Sequence, residues 1–224
     1  MTSRIPPEIQ SFCKECAHGL SNLRENQERI EFTQELLPKF LRDTSLFGTI
    51  LRDLIVKREY PDLNYPTMFD SEFILYTDPD RLFSLRMFIW EPGGYDPIHD
   101  HNSWGVIGPV TGQLEVINYR RNDDGSKEGY ADLIETDRRI ILPGDTYFVL
   151  PLDIGIHRTG NPSNETIIQV SIYGEAQTTR NHINGFDLES KSVYPIYAPK
   201  TKKRHLAQQA LYHLEVSAQR YQIE

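Results

Sequence analysis

Three histidines in two separated stretches carry the clearest chemical signal in the sequence. His99 and His101 stand two residues apart behind a Gly-Gly turn and a proline, and His157 follows a second turn far downstream. Because successive side chains of a strand point to opposite faces, His99 and His101 share one face of an extended segment. Imidazole nitrogens bind metal ions at about 2 Å. We predict that these three rings hold one metal ion inside a small β-barrel.

The elements that must position these histidines change type along the chain of 224 residues. Residues 1–60 carry apolar side chains at helical spacing, and residues 200–224 do so again. From Ser71 onward, short apolar runs with period two alternate with turn residues, which is typical of an all-β barrel or sandwich. We predict one domain, with an N-terminal helical region at 1–60, a barrel at 61–199 and a C-terminal helix at 200–224. The predicted strands are 73–76, 82–90, 96–99, 105–109, 113–120, 130–135, 138–142, 146–150, 155–159 and 166–174.

Composition limits the partners that this chain can have. A formal net charge of −8 and a pI near 5.4 argue against a nucleic-acid surface. No apolar run is long enough to span a bilayer, and no signal peptide is visible at the N-terminus. Cys13 and Cys16 form a single C-x-x-C without a second ligand pair, so we expect a structural role and a reducing cytoplasm. The expected partners are small molecules, with the chain acting as a monomer or small homo-oligomer.

The surroundings of the histidines resemble the two signatures of the cupin family. The first signature is matched by Gly93, His99, His101 and Gly112, and the second, more loosely, by Gly144, Pro151, Gly155, His157 and Asn161. The resemblance implies a mainly β fold, a jelly-roll barrel or double-stranded β-helix, with the N-terminal helices and the C-terminal helix around it. Two surface histidines on an edge strand would explain a bare H-x-H, but not both signatures in the correct order.

One position departs from the first signature, and the departure bears on the chemistry. The signature normally places a glutamate ligand four residues after the second histidine, where this chain has Gly105. Three neutral imidazoles would leave the charge of a divalent ion largely uncompensated. Imidazole suits iron, nickel, copper and zinc, and the missing charge favours an anionic ligand from the substrate. A thiolate is a natural candidate, because metal coordination deprotonates a thiol.

The chain also resembles the cysteine dioxygenase and 3-mercaptopropionate dioxygenase family of thiol dioxygenases. The matching stretches are residues 83–90, 97–108 and 154–158, within a resemblance that extends over about residues 70–185. It implies an enzyme with one non-haem Fe(II). The enzyme would insert both atoms of O2 into a small, carboxylated thiol and yield a sulfinic acid. The iron ligands implied by this resemblance are His99, His101 and His157.

Two departures from that family concern the residues beside the metal. Members carry a Ser-x-His-x-Tyr strand, whereas this chain has Gln169, Ser171 and Tyr173 at the corresponding positions. Period two puts these three side chains on one face. Tyr173 is the predicted catalytic residue, placed to bind substrate or O2, although the histidine that would orient it is missing. Asp78 replaces the arginine that clamps the substrate carboxylate in the animal enzymes.

The sequence offers a cation to replace that arginine and several side chains to line the pocket. We predict that Arg180 binds the substrate carboxylate, because a guanidinium can donate two parallel hydrogen bonds, and Arg86 is a second candidate. Aromatic residues in a small barrel are often core rather than pocket. The predicted substrate-binding residues are Arg180, Tyr76, Tyr95, Trp104, Ser171 and Gln169.

Two other functions fit the same residues. A different metal-dependent cupin enzyme, a dioxygenase or lyase for a substrate without a thiol, would explain the replacements at Asp78, Gln169 and Ser171. A metal-stabilised binding or regulatory module without catalysis is compatible with the acidic composition and the long terminal helices.

Overall fold

The computed structural model describes residues 5–56 and 60–221, with residues 213–221 described by their backbone alone. The predicted regions 1–60 and 200–224 therefore extend beyond the described residues at 1–4, 57–59 and 222–224. The helices are α1 (Pro7–Leu20), α2 (Asn26–Leu41), α3 (Thr44–Val56) and α4 (Pro199–Tyr221). Among the described residues, no helix is both long and apolar enough to cross a membrane.

Local chemistry explains where the N-terminal helices begin. α1 begins at Pro7, whose fixed φ and missing N–H suit the first turn of a helix. Glu25 and Glu28 form a capping box at the start of α2, in which each carboxylate accepts from the backbone N–H of the other residue. The Asp43 carboxylate accepts from the Leu46 N–H at 3.1 Å and caps α3.

The strands form two antiparallel sheets. The strands are β1 (Glu72–Thr77), β2 (Phe83–Trp90), β3 (Ile98–His99), β4 (Gly105–Pro109), β5 (Leu114–Arg121), β6 (Leu133–Ile141), β7 (Tyr147–Val149), β8 (His157–Gly160), β9 (Ile167–Gly174), β10 (His182–Asp187) and β11 (Ser192–Tyr197). A short 3₁₀ helix at Leu152–Gly155 precedes β8. One sheet has the order β1-β2-β9-β4-β7 and the other has the order β11-β10-β3-β8-β5-β6.

The pairing of strands β2 to β9 is nested. β5 pairs with β6, β4 with β7, β3 with β8 and β2 with β9, all antiparallel. This is one long hairpin wound so that its strands alternate between two facing sheets, which is the jelly-roll topology. The predicted mainly β jelly-roll barrel, with helices before and after it, is confirmed.

Two predicted strands are one strand in the structure, and one hairpin was not predicted. The stretches 130–135 and 138–142 belong mostly to one continuous edge strand, β6, whose side chains are exposed on both faces and so show little alternation. β10 and β11 form a hairpin that the sequence analysis missed. Gly185 and Pro195 interrupt their apolar pattern, and Pro195 is tolerated because β11 lies at a sheet edge.

Three apolar clusters fill the interior. The largest joins the N-terminal helices to one sheet, and it includes Cys13, Cys16 and Leu85. The second includes Phe88 and Trp90 inside the barrel, and the third includes Ile98 of β3. Both cysteines are buried free thiols, and burial raises the pKa of Cys16 to about 12. Such thiols stay protonated and unreactive, which favours the structural role.

Asn161 holds the turn between β8 and β9 against the end of β2. Its side-chain amide group donates to the carbonyl oxygens of Trp90, Glu91 and Glu165 at 3.3, 3.0 and 2.6 Å. Its side-chain oxygen accepts from the Ser163 N–H at 2.9 Å. Asn161 is fully buried, so these groups have no water to replace a lost partner.

We expect Asn161→Ala to lower the free energy of unfolding by roughly 2–4 kcal/mol, because it leaves several buried backbone groups without partners. Denaturant unfolding followed by circular dichroism measures this change. Asn164→Ala, at an exposed asparagine of the same turn, is the matched control and should stay within about 0.5 kcal/mol of the wild type. Equal effects of the two substitutions would contradict this role for Asn161.

Candidate metal centre

Strand register brings the three histidines together. β3 pairs with β8, and His99 lies directly opposite His157 in this pair. His101 follows β3 by two residues, so its ring returns to the same side as that of His99. The metal-binding histidines predicted from two distant stretches of sequence are thus neighbours in one sheet. Their exposed fractions are 2%, 8% and 2% for His99, His101 and His157, so all three rings are inside the barrel.

The spacing of the ring nitrogens suits one metal ion. One nitrogen from each ring can be chosen so that all three lie within 4.8 Å of one another. The Nε2 atoms of His101 and His157 are 3.3 Å apart. Two nitrogens bound to one ion at about 2.1 Å with ordinary coordination angles would be separated by about 3.0–3.4 Å. The nitrogens of His101 and His157 therefore have the spacing of two ligands of one divalent ion, and a nitrogen of His99 is close to both.

The protonation of the rings also suits metal binding. His99 Nδ1 lies 2.8 Å from the carbonyl oxygen of Pro97, which can only accept. The proton of this ring is therefore on Nδ1, and Nε2 keeps a lone pair for the ion. Burial lowers the pKa of His101 and His157 well below its ordinary value, and the neighbouring His99 lowers it further. His101 and His157 are therefore neutral at physiological pH, as imidazole ligands of a metal ion must be.

Among the residues that the structure describes, no carboxylate or thiol joins the histidine triad. At Gly105, where the signature has a glutamate, the volume of the missing side chain is filled by another residue. Gly105 lies opposite Tyr173 in the β4–β9 pair, and a Cβ at this position would be 2.6 Å from the Tyr173 ring. The ring therefore occupies the volume that a glutamate side chain would need. Tyr173 stacks on His101 with ring centroids 5.2 Å apart, so a phenol stands where the signature has a carboxylate.

A cavity of about 240 Å³ opens onto His101 and Tyr173. Its volume suits a small molecule rather than a polymer. Its lining combines apolar and polar side chains. The apolar ones include Met68, Phe69, Phe88 and Ile183, and the polar ones include Glu72, Ser84, Arg86, Asn102 and Ser103.

Arg86 is the cation of this cavity, and its position is fixed by two neighbours. Its guanidinium pairs with Glu72, and its Nε donates to Ser84 Oγ at 3.0 Å. Glu72 is almost fully buried and also accepts from the Met68 N–H at 2.9 Å. The guanidinium lies 5.4 Å from the centre of the Tyr173 ring, within cation–π range. The sequence analysis missed Glu72; the signal was a charged residue in the otherwise apolar strand β1.

Arg180 lies outside the cavity, which corrects the predicted carboxylate site. Its guanidinium donates to both carboxylate oxygens of Asp100 at 3.1 and 3.2 Å and to Asn102 Oδ1 at 2.7 Å. Asp100 is fully buried, and Asn184 donates to it from the other side. Strand alternation points Asp100 away from the face of the histidines and towards Arg180. Arg180 therefore stabilises the segment that carries His99 and His101 from the opposite face.

Three predicted aromatic pocket residues also lie elsewhere. Tyr95 donates to Glu115 at 2.7 Å and faces a different cavity. Tyr76 stacks on Phe83 beside the helix-facing core, with ring centroids 5.8 Å apart. Trp104 is fully buried in that same core. These three residues are packing residues in the structure, because a β-strand side chain can belong to either face and aromatic character alone does not decide which.

Gln169, Ser171 and Tyr173 share the face that points into the barrel, as period two predicts. Trp90 Nε1 donates to Gln169 Oε1 at 2.8 Å, and Gln169 Nε2 donates to Ser171 Oγ at 2.9 Å. Burial raises the pKa of Tyr173, and hydrogen bonding from Ser171 opposes that rise. Among these residues, Tyr173 lines the cavity, while Gln169 and Ser171 lie behind it.

No protein-family model matches the chain. Among solved structures it is similar to the cupin 2 domain-containing protein from Halorhodospira halophila, with 18% identity over 56% of this chain and 75% of that one, at a TM-score of 0.39. A Cupin 2 conserved barrel domain protein from Salinispora arenicola has 19% identity over 51% and 85% of the two chains, at a TM-score of 0.37. The DMSP lyase DddQ from Ruegeria pomeroyi has 15% identity over 49% and 48%, at a TM-score of 0.35.

Similarity of this size says nothing about activity. The fold follows from the nested strand pairs of the chain itself, with the histidine triad at the joint between β3 and β8. The chain has the cupin fold.

We expect one divalent ion per chain, and at least about a 100-fold loss of affinity in each of His99→Ala, His101→Ala and His157→Ala, since each removes a ligand. Elemental analysis after anaerobic loading with Co(II) or Fe(II), and calorimetric titration, measure the stoichiometry and affinity. His205→Ala, in α4 against Tyr197, is the control and should bind metal like the wild type. Full metal retention in any triad variant would contradict the shared site.

We expect Arg180→Ala to lower the free energy of unfolding by roughly 2–3 kcal/mol. It leaves the buried Asp100 carboxylate poorly paired, and the value allows for the 23% exposure of the Arg180 side chain. Metal affinity should fall with it, because Asp100 lies between two ligands. Arg139→Ala, which removes an exposed ion pair with Asp137, should cost at most about 1 kcal/mol. Denaturant unfolding compares the two, and equal costs would contradict the stabilising role of Arg180.

Proposed function

We propose that this protein is a non-haem Fe(II) thiol dioxygenase that converts a small, carboxylated thiol to its sulfinic acid with O2. The observation that carries the proposal is a buried histidine triad that has the Tyr173 phenol against His101 and that, among the described residues, no carboxylate completes. Three neutral ligands leave the charge of a divalent ion uncompensated. A thiolate from the substrate supplies the missing negative charge, and it is a better ligand for such a site than a neutral oxygen group.

The reaction balances without a further reductant. A thiolate and O2 give a sulfinate: the O–O bond breaks, two S–O bonds form, and sulfur supplies the four electrons that O2 accepts. The thiol proton leaves when sulfur binds as thiolate. When bound, Fe(II) supplies the redox chemistry that joins the two reactants.

The residues of the chain bind and orient these reactants. His99, His101 and His157 would hold the ion, and the substrate thiolate would supply one negative charge to it. The Tyr173 phenol keeps its proton, since burial raises its pKa. It stacks on His101 and donates a hydrogen bond to the reactants there. Phe69 and Phe88 line the same cavity and keep water from the reacting sulfur.

Arg86, rather than Arg180, is the residue proposed to bind the substrate carboxylate. The centre of the Tyr173 ring lies 5.2 Å from the centre of the His101 ring and 5.4 Å from the Arg86 guanidinium. His101 and Arg86 line the same cavity, where a short carboxylated thiol would meet both. Glu72 holds one edge of the guanidinium, so the remaining N–H groups are presented to the cavity without further loss of side-chain entropy.

A panel of thiols tests the activity. With Fe(II)-loaded protein, we expect O2 uptake matched one to one by sulfinate for 3-mercaptopropionate or cysteine, and slower turnover for cysteamine, which lacks the carboxylate. An oxygen electrode and mass spectrometry with labelled O2 measure uptake and incorporation. No uptake with any thiol at full iron loading would contradict the proposal. Tight binding of a bidentate oxygen chelate without thiol affinity would point to a cupin enzyme for another substrate.

We expect Arg86→Gln to lower kcat/KM for a carboxylated thiol by about 10- to 100-fold, the value of a charge-assisted hydrogen bond, and to spare cysteamine. The double variant Glu72→Gln/Arg86→Gln removes both charges, so no buried charge is left alone. It should show the same selective loss. Arg139→Gln, at an exposed site, is the matched control. An equal loss for both kinds of thiol would contradict carboxylate binding by Arg86.

A further inference from the structure

A chain of buried polar side chains runs along the inner faces of β2 and β9 to the metal cavity. Trp90 Nε1 donates to Gln169 Oε1 at 2.8 Å, and Gln169 Nε2 donates to Ser171 Oγ at 2.9 Å. Tyr173 is the next inward residue of β9 after Ser171, and the Ser171 side chain opposes the rise in the pKa of Tyr173 that burial causes. The exposed fractions of Trp90, Gln169 and Ser171 are 5%, 2% and 0%, so bulk water does not compete for these bonds.

The first member of this chain determines the direction of every later bond. An indole N–H can only donate, so the atom of Gln169 that faces Trp90 must be its carbonyl oxygen. The amide nitrogen of Gln169 therefore faces Ser171 and donates to its hydroxyl oxygen. Ser171 has one proton, which then points on towards Tyr173. If the oxygen of Tyr173 accepts that proton, its own proton is left to point into the cavity.

We propose that Trp90 and Gln169 are positioning residues that fix Tyr173 as a hydrogen-bond donor to whatever exogenous ligand occupies the metal centre. A tyrosine hydroxyl beside a serine alone could point its proton either way, because both groups donate and accept. The indole N–H removes that choice without introducing a buried charge. The inference rests on the metal centre of the proposed function, but not on the thiol substrate.

The register of the strands explains why this device is possible. Phe88 pairs with Gln169 across the β2–β9 ladder, and Trp90 lies two residues further along the same face. The indole can therefore reach the Gln169 amide diagonally. Both residues are too far along the sheet to line the cavity themselves, so they act on the ligand only through Tyr173.

The first measurement uses metal-free protein. Trp90 and Trp104 are the two tryptophans of the chain, so a ¹⁵N–¹H spectrum contains two indole signals. Trp104 Nε1 has no hydrogen-bond partner among the described residues and serves as the internal reference. We expect Gln169→Met to shift the Trp90 signal and to leave the Trp104 signal in place. An unmoved Trp90 signal would overturn the first link of the chain.

The second measurement is azide binding to Co(II)-loaded protein, followed by visible absorption. We expect Tyr173→Phe to weaken azide binding about fivefold, the value of one hydrogen bond, and Gln169→Met to weaken it about threefold. In the Tyr173→Phe background, Gln169→Met should have no further effect, since its action passes through Tyr173. Gln177→Met, at an exposed glutamine bonded to Asn26, is the matched control.

If Gln169→Met weakens azide binding equally in the wild-type and Tyr173→Phe backgrounds, the proposal is overturned, because a merely structural role does not depend on Tyr173. No weakening by Gln169→Met would also overturn it. If Gln169→Met does not fold, Trp90→Phe removes the indole donor but keeps an aromatic side chain, and it enters the same cycle. A protein that shows this cycle but oxidises no thiol would refute the thiol substrate and support the hydrogen-bond chain. The reverse result would refute the chain alone.

Discussion

The structure depends on bringing three imidazole rings together inside the barrel, with ring centroids 4.7–4.9 Å apart. Burial keeps His101 and His157 neutral, and the carbonyl of Pro97 holds the proton of His99 on Nδ1. This arrangement lets the three rings share one cation. The barrel maintains it because the β3–β8 pair sets the two strands at hydrogen-bonding distance, with His99 opposite His157.

The charge of the site follows from what stands beside the triad. Gly105 leaves room for the ring of Tyr173, where a side chain would collide with it. A proton donor thus stands where the signature has a carboxylate ligand. The ion pair of Arg86 and Glu72 lies beside the same ring, with the Arg86 guanidinium 5.4 Å from its centre. In the proposed function, sulfur and carboxylate of one short molecule would meet the metal and Arg86.

Side chains alternate between the two faces of the sheet along residues 99–101, and the two faces have different roles. The period that turns His99 and His101 inward turns Asp100 outward, where it is fully buried against Arg180. The arginine that sequence reasoning assigned to the substrate therefore stabilises the ligands instead. On the opposite sheet, the same alternation collects Gln169, Ser171 and Tyr173 on the inner face of β9.

The sequence by itself predicted the strands after residue 71, the three histidines and the inward face of β9, because these depend on local period, turn residues and spacing; the jelly-roll barrel followed from the resemblance to cupins. It did not separate Arg86 from Arg180 as the cation of the cavity. Nor did it show that Tyr95 pairs with Glu115 and that Trp104 packs in the helix-facing core. Those outcomes depend on which long-range partner each side chain meets: Glu72 for Arg86 and Asp100 for Arg180. Only the tertiary structure decides them, because the register between distant strands is set by the packing of the whole barrel and not by any one segment.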